Sequence, residues 1–195
     1  MPVKATKPRL QAVEGSKSPS TVSLPESLVD ESDGAFRQFI DDALAFSACL
    51  QDVRNRLGAF VGLPGTQYTL LVSLAQLRSD GDVGVNQLAR HLHLSGAFVT
   101  IEVGKLVAAG LVRKQTHPED RRRVQLNLTP AGREMLGKLA PIQKLVNDAL
   151  FESVTAEDFQ VLRDVFARLA ASGDRSVHLL EYVTQPGQEG HAAAR

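Results

Sequence analysis

Three consecutive arginines, Arg121, Arg122 and Arg123, follow the acidic pair Glu119–Asp120 in a chain whose 22 Lys and Arg residues are balanced by 22 Asp and Glu. Guanidinium groups stay charged and present a planar fork of N–H donors that fits phosphate oxygens. A run of them in a neutral chain implies a local site for a phosphate-bearing partner. The charge distribution sharpens this. Residues 84–129 hold 7 basic and 3 acidic side chains, whereas residues 21–83 hold 4 and 9. Such a patch attracts polyanions even though the net charge is zero. Lys105 and Arg113 lie in the same stretch and are expected phosphate contacts. Ser95, followed by Gly96, is of the type that caps a helix start, where free backbone N–H groups also face phosphate. Asp120 would repel phosphate and is read as holding a neighbouring arginine.

Other chemistries find little support. The single cysteine, Cys49, excludes a disulfide framework and any zinc site built on paired cysteines. His91, His93 and His117 lack cysteine or carboxylate company and read as surface or packing residues, so no metal is expected. There is no nucleophile elbow, phosphate-cradling glycine loop or metal-ligand spacing. No enzyme and no cofactor are expected. With 43% hydrophobic residues but 5% aromatic, a core is possible and must be largely Leu, Val and Ala. No apolar run approaches a membrane span, and Met1 to Ser20 lacks the apolar stretch of a secretory signal. The expected location is the cytoplasm.

The elements that position the basic residues follow from hydrophobic period. Residues 1–31 and 185–195 are polar and aperiodic, and read as disordered tails. Phe36, Phe39, Ile40, Ala43, Phe46, Leu50, Val53, Leu57 and Phe60 recur at helical steps, ended by Gly62, Pro64 and Gly65. Thr66 opens a second helix with Tyr68, Leu71, Leu74, Ala75 and Leu77 inward, closed by a turn at Ser79–Asp82. Asn86 to Leu92 and Ser95 to about Ala109 are two further helices joined too closely for anything but a tight turn, a helix-turn-helix by spacing. Val99, Val103, Leu106 and Val107 face in, and Gly110 fits the left-handed position past the end. The period then falls to two, giving strands Val112–Thr116 and Arg123–Thr129 with the basic loop 117–122 between them. A helix-turn-helix followed by such a hairpin is a winged helix. Its second helix suits the major groove of duplex DNA, and an arginine-bearing loop can reach the adjacent minor groove. From Pro130 an apolar stripe of Met135, Leu136, Leu139, Ile142, Leu145, Val146 and Leu150 marks another helix. Thr155 with Asp158 reads as a capping box for a last helix of Phe159, Leu162, Val165, Phe166 and Leu169, ahead of a further apolar stretch at Val177–Tyr182.

These residues resemble the MarR family of bacterial transcription regulators. Leu88-Ala89, Leu92 and Ser95 look like that family's helix-turn-helix entry, and Leu106 with Gly110-Leu111-Val112 like the exit of its recognition helix. Asp120-Arg121-Arg122, five residues, then Leu128-Thr129 and Gly132 keep the family's wing count. Gln67-Tyr68 stand where the family often has Gln and an aromatic. The resemblance covers roughly residues 35–175 and implies a mainly α protein with a small β-hairpin wing. The winged helix-turn-helix domain would span 66–129, and residues 32–65 and 130–184 would form a helical dimerisation region. It implies a homodimer that binds double-stranded DNA at a near-palindromic site and represses until a small effector intervenes. The DNA contacts implied are Ser95, Gly96, Phe98, Thr100, Ile101, Lys105, Arg113, Arg121, Arg122 and Arg123.

Relatives often carry Ser, Thr or Arg near the positions of Phe98 and Ile101. These two either touch thymine methyl groups or belong to the core of a slightly shifted helix. For the effector, the resemblance implies a crevice between helical base and DNA-binding lobe, for which Phe46, Leu50, Arg54, Tyr68 and Leu71 are the expected lining. Arg54 suits an aromatic acid or an acyl-coenzyme A. Two alternatives stand beside this reading. In one, Cys49 is a redox switch rather than a small buried hydrophobe; in the other, the winged helix is a protein–protein adaptor that binds no DNA.

Overall fold

The computed structural model describes residues 19–77, 83–116 and 124–185. The chain divides into two compact units, one through Arg133 and one from Glu134. The first holds the helices α1 (Gly34–Phe60), α2 (Gly65–Leu77), α3 (Val85–His91) and α4 (Gly96–Ala108), then an antiparallel hairpin of β1 (Val112–Thr116) and β2 (Val124–Leu128). Helix α5 (Pro130–Leu150) starts in this unit and continues into the second, which ends with α6 (Ala156–Val183). Mainly helical with one small hairpin, the chain has the winged helix-turn-helix architecture with helical extensions.

The first unit closes around Tyr68, Leu70, Leu71, Leu74, Leu88, Val99, Val103, Leu106 and Leu126, which are all but inaccessible. Helix α2 is the hub. It packs against α1, α3, α4 and β2, which is why apolar residues on several of its sides are buried. The hairpin pairs Val112 with Leu128 and Thr116 with Val124. Leu126 N–H donates to Val83 O at 2.7 Å, so the segment before α3 lies along β2 and occupies its second edge. A two-stranded hairpin is marginal by itself; this bond and the buried Leu126 tie it to the helices.

The joint between hairpin and α5 explains the Leu128-Thr129…Gly132 spacing. The Thr129 hydroxyl donates to Gly110 O at 2.6 Å and accepts from Gly132 N–H at 3.0 Å, while Thr129 N–H donates to Leu111 O at 3.0 Å. One residue thereby caps α5 and clasps it to the turn that leaves α4. Gly132 is required by space: a Cβ there would stand 2.3 Å from Leu111 O.

Several expectations need correction. The tail expected through residue 31 includes an ordered arm from residue 19, with a 3-10 turn at Pro25–Ser27. Asp33 secures it by accepting from Thr21 N–H at 2.8 Å, from the Thr21 hydroxyl at 2.9 Å and from Arg37 Nε at 2.9 Å. These bonds hold the Asp33 carboxyl down to about 2, the Thr21 N–H being the largest cause. The last helix does not end ahead of the apolar stretch Val177–Tyr182 but takes it in and runs on to Val183. Helix α1 falls in the same unit as the winged elements and packs against α2. Within the second unit, α6 opens with the expected capping box: Thr155 Oγ1 accepts from Asp158 N–H at 3.1 Å and Thr155 N–H donates to the Asp158 carboxylate at 3.2 Å. None of its 28 residues is buried, although Phe159, Leu162, Phe166 and Leu169 form an apolar stripe.

Candidate nucleic-acid interface

Helix α4 is set by its two ends and by one face. Ser95 Oγ accepts from Phe98 N–H at 3.2 Å, a helix N-cap. Gly110, at φ +71°, ends the helix in the left-handed region that favours glycine. The turn before α4 is tight enough to force His93 to φ +52°. Val99, Glu102, Val103 and Leu106 point inward. Among them Glu102, only 8% exposed, accepts from Gln67 Nε2 at 3.0 Å and pairs with Lys105 Nζ at 2.6 Å. A carboxylate in an apolar stripe needs partners. Here they fix α4 on α2 and hold the Glu102 carboxyl below its usual range, chiefly through the Lys105 bond.

The opposite face of α4 is open. Phe98 is 40% and Ile101 59% exposed, so both belong to the outer side and not to a shifted core. Thr100 is exposed with them, and its hydroxyl donates to Gly96 O at 2.7 Å. Gly96, half-buried, forms the first turn behind the Ser95 cap. Arg113 is exposed on β1, as is Lys114, which the sequence reading passed over. Lys105 keeps its ammonium partly exposed while paired to Glu102. Arg121, Arg122 and Arg123 lie outside the described residues, on the segment joining β1 to β2. The structure thus brings Ser95, Gly96, Phe98, Thr100, Ile101 and Lys105 onto one helix, with Arg113 on the strand that follows it. Glu102 and Gln67 were missed as a pair, although a Glu inside the Val99–Leu106 stripe is a readable signal.

A cleft of about 390 Å³ opens beside the α3–α4 turn, lined by Gln51, Arg54, Thr66, Thr69, Leu92, Leu94 and Phe98. Two of the lining residues carry a buried atom without a hydrogen-bond partner, Arg54 Nη1 and Thr69 Oγ1. Of the expected effector residues only Arg54 lines this cleft. Tyr68 and Leu71, at 2% and 0% exposure, are core side chains. Burial pushes the Tyr68 phenol up, with Arg54 opposing. Phe46 and Leu50 lie elsewhere on α1, half-buried. Cys49 is exposed rather than a buried hydrophobe.

The family model described as the MarR family matches residues 61–123, the span from the end of α1 through the segment carrying the arginines. A curated relative, the HTH-type transcriptional repressor MdtR of Bacillus subtilis, is 22% identical over 134 residues, covering 69% of this chain and 86% of its own length. This chain's winged helix-turn-helix is of the MarR type. The chain is thus a winged helix-turn-helix transcriptional regulator and not an enzyme. Solved structures of similar fold include a MarR protein from Peptoclostridium difficile, 18% identical with a TM-score of 0.60, covering 78% of this chain and 96% of that one. Another is a MarR mutant from E. coli complexed with operator DNA, also 18% identical, with a TM-score of 0.57 and coverage of 69% and 96%. Among the described residues of this regulator, no single helix is long and apolar enough to cross a membrane. No three His, Cys, Asp or Glu side chains gather among them where a metal could be held.

Proposed function

We propose that this MarR-type regulator is a homodimeric repressor that binds a near-palindromic DNA site and is released by a small anionic effector. The observation that carries the DNA reading is α4 itself. It is capped at Ser95, locked on α2 through Glu102 and Gln67, and bare on its outer face. A helix held this way can enter a major groove without losing its footing. The arginine run 121–123, with Arg113 and Lys114, supplies charge for the flanking phosphates, where most of the affinity would arise. Repression is carried over from the description of MdtR, and operator binding from the solved complex of the E. coli protein.

Dimerisation is supported by the second unit. A 28-residue amphipathic helix with no buried residue has an apolar stripe for which a second copy is the natural cover. Two copies would place their recognition helices about 34 Å apart, one turn of duplex. The effector reading rests on the cleft, whose lining residues Arg54 and Thr69 carry buried donors, Nη1 and Oγ1, that a carboxylate would satisfy with charge-assisted bonds. Leu94 and Phe98 also line it, so a bound carboxylate would bear on the start of α4 and shift the population away from the DNA-competent form.

The test is a fluorescence-anisotropy titration of the full chain against a labelled duplex pool at several salt concentrations, without and with aromatic carboxylates. Affinity should fall steeply with salt, and Arg122→Ala should weaken binding by about 1–3 kcal/mol without unfolding the protein. Salt-independent binding, or none at low salt, would overturn the DNA reading in favour of a protein–protein adaptor. If carboxylates displace the duplex equally well from wild type and Arg54→Gln, the cleft is not the effector site. Cys49→Ser released by the same carboxylate excludes the thiol switch.

A further inference from the structure

The thirteen residues of α4, GAFVTIEVGKLVA, contain no Arg, Asn or Gln. Those side chains make the paired hydrogen bonds that identify guanine or adenine in the major groove. Its remaining polar groups are largely engaged. Thr100 spends its one donor on Gly96 O, Glu102 faces inward, and Lys105 is drawn back to Glu102 at 2.6 Å. What the helix presents outward is Ala97, Phe98, Ile101 and Ala108, all exposed, with Gly104 adding no side chain between the last two. The Ile101 sec-butyl group, 59% exposed, and the outer flank of the Phe98 phenyl, which lines the cleft on its other side, have no internal reason to face outward. Val99, Val103 and Leu106 already fill the core side.

Thymine is the base that answers such a surface. Its C5-methyl group is the apolar feature of the major-groove edges, and aromatic and aliphatic side chains read it by contact. Resting on the DNA-binding function proposed for the chain, we infer that Phe98 and Ile101 determine operator specificity by reading thymine methyl groups. Sequence discrimination by α4 then comes from apolar burial rather than from hydrogen bonds to base edges, and the arginines and lysines position the protein without choosing the sequence. Phe98 and Ile101 are three residues apart and therefore neighbours on one face. They would touch thymines at adjacent or next-but-one steps within each half-site.

The experiment selects duplexes from a randomised library with the full-length protein. The winners are then resynthesised with deoxyuridine replacing each thymidine in turn, which deletes only the methyl group. Thymine-rich half-sites should be enriched. Removing one contacted methyl should weaken wild-type binding about four-fold, the factor expected for exposing one buried methylene-sized group. The same replacement should cost Ile101→Ala little at the position Ile101 reads, and Phe98→Ala little at the position of Phe98. Ile101 is the safer variant, because its 59% exposure leaves the fold intact on truncation. Enriched sites that are indifferent to deoxyuridine at every position would overturn methyl readout while leaving DNA binding in place. Retention of no duplex at all, even at low salt, would overturn the DNA-binding function and methyl readout together.

Discussion

Two glycines of this regulator should respond in opposite directions to the same change. At Gly132, an added Cβ would sit 2.3 Å from Leu111 O and 3.2 Å from its carbon. The nearest that a carbon comfortably approaches a carbonyl oxygen is about 3.3 Å, so α5 and the Leu111 peptide must separate by about 1 Å. Both partners are backbone, with no flexible side chain to yield. That movement takes the 3.0 Å bond from Thr129 N–H to Leu111 O out of hydrogen-bonding range and strains the Thr129 hydroxyl bond to Gly110 O. With net values of about 1 kcal/mol per bond and about 1–3 kcal/mol for a group left unpaired, the clash costs about 2–4 kcal/mol. The better helix propensity of alanine returns at most about 1 kcal/mol. Gly132→Ala should therefore destabilise by about 1–3 kcal/mol. At Gly104 nothing lies within 4 Å of the added atom, and Gly104→Ala should stabilise by about 0.5–1 kcal/mol. Urea unfolding followed by circular dichroism measures both. A Gly132→Ala protein as stable as wild type would refute the steric account of the Thr129 joint.

Two further predictions follow from polar contacts near helix starts. Asp33 is held at about 2 in the folded chain, against an ordinary value of 3.8, so its contribution is complete above about pH 4 and lost as pH falls towards 2. The Thr21 amide resonance should shift across that interval, and Asp33→Asn should abolish the titration and release the arm at every pH; a flat Thr21 signal from pH 5 to 2 would contradict this. Thr155→Ala removes the capping box of α6 and should cost about 0.5–2 kcal/mol, read as earlier loss of helical signal in urea, whereas Thr155→Ser should behave as wild type.

What the sequence made legible was whatever is encoded locally. Ser95, Gly110 and the Thr155–Asp158 pair declare helix ends through their own backbone bonds, and they stand where spacing placed them. The switch to period two marked both strands to within a residue. Contacts between distant segments were not legible. The arm at 19–33 depends on Thr21 meeting Asp33 across twelve residues, and no local pattern announces that. Helix α6 also passes through Gly173, a weak helix former at which no local signal foretold continuation. Tyr68 and Leu71, expected along an effector crevice, are buried in the core for a simple reason. The apolar face of a central helix is its core face, and α2 packs on several sides at once.

Phe98 borders the Arg54 cleft on one flank and stands free on the outer side of α4 on the other. Such double duty constrains how the regulator can diverge. On the two proposals made above, a substitution at 98 would alter base contact and the lining of the cleft together, so the two properties would change as a linked pair. Ile101, one helical turn further along and absent from the cleft lining, is on the same proposals the position where base contact would change with the cleft left as it is.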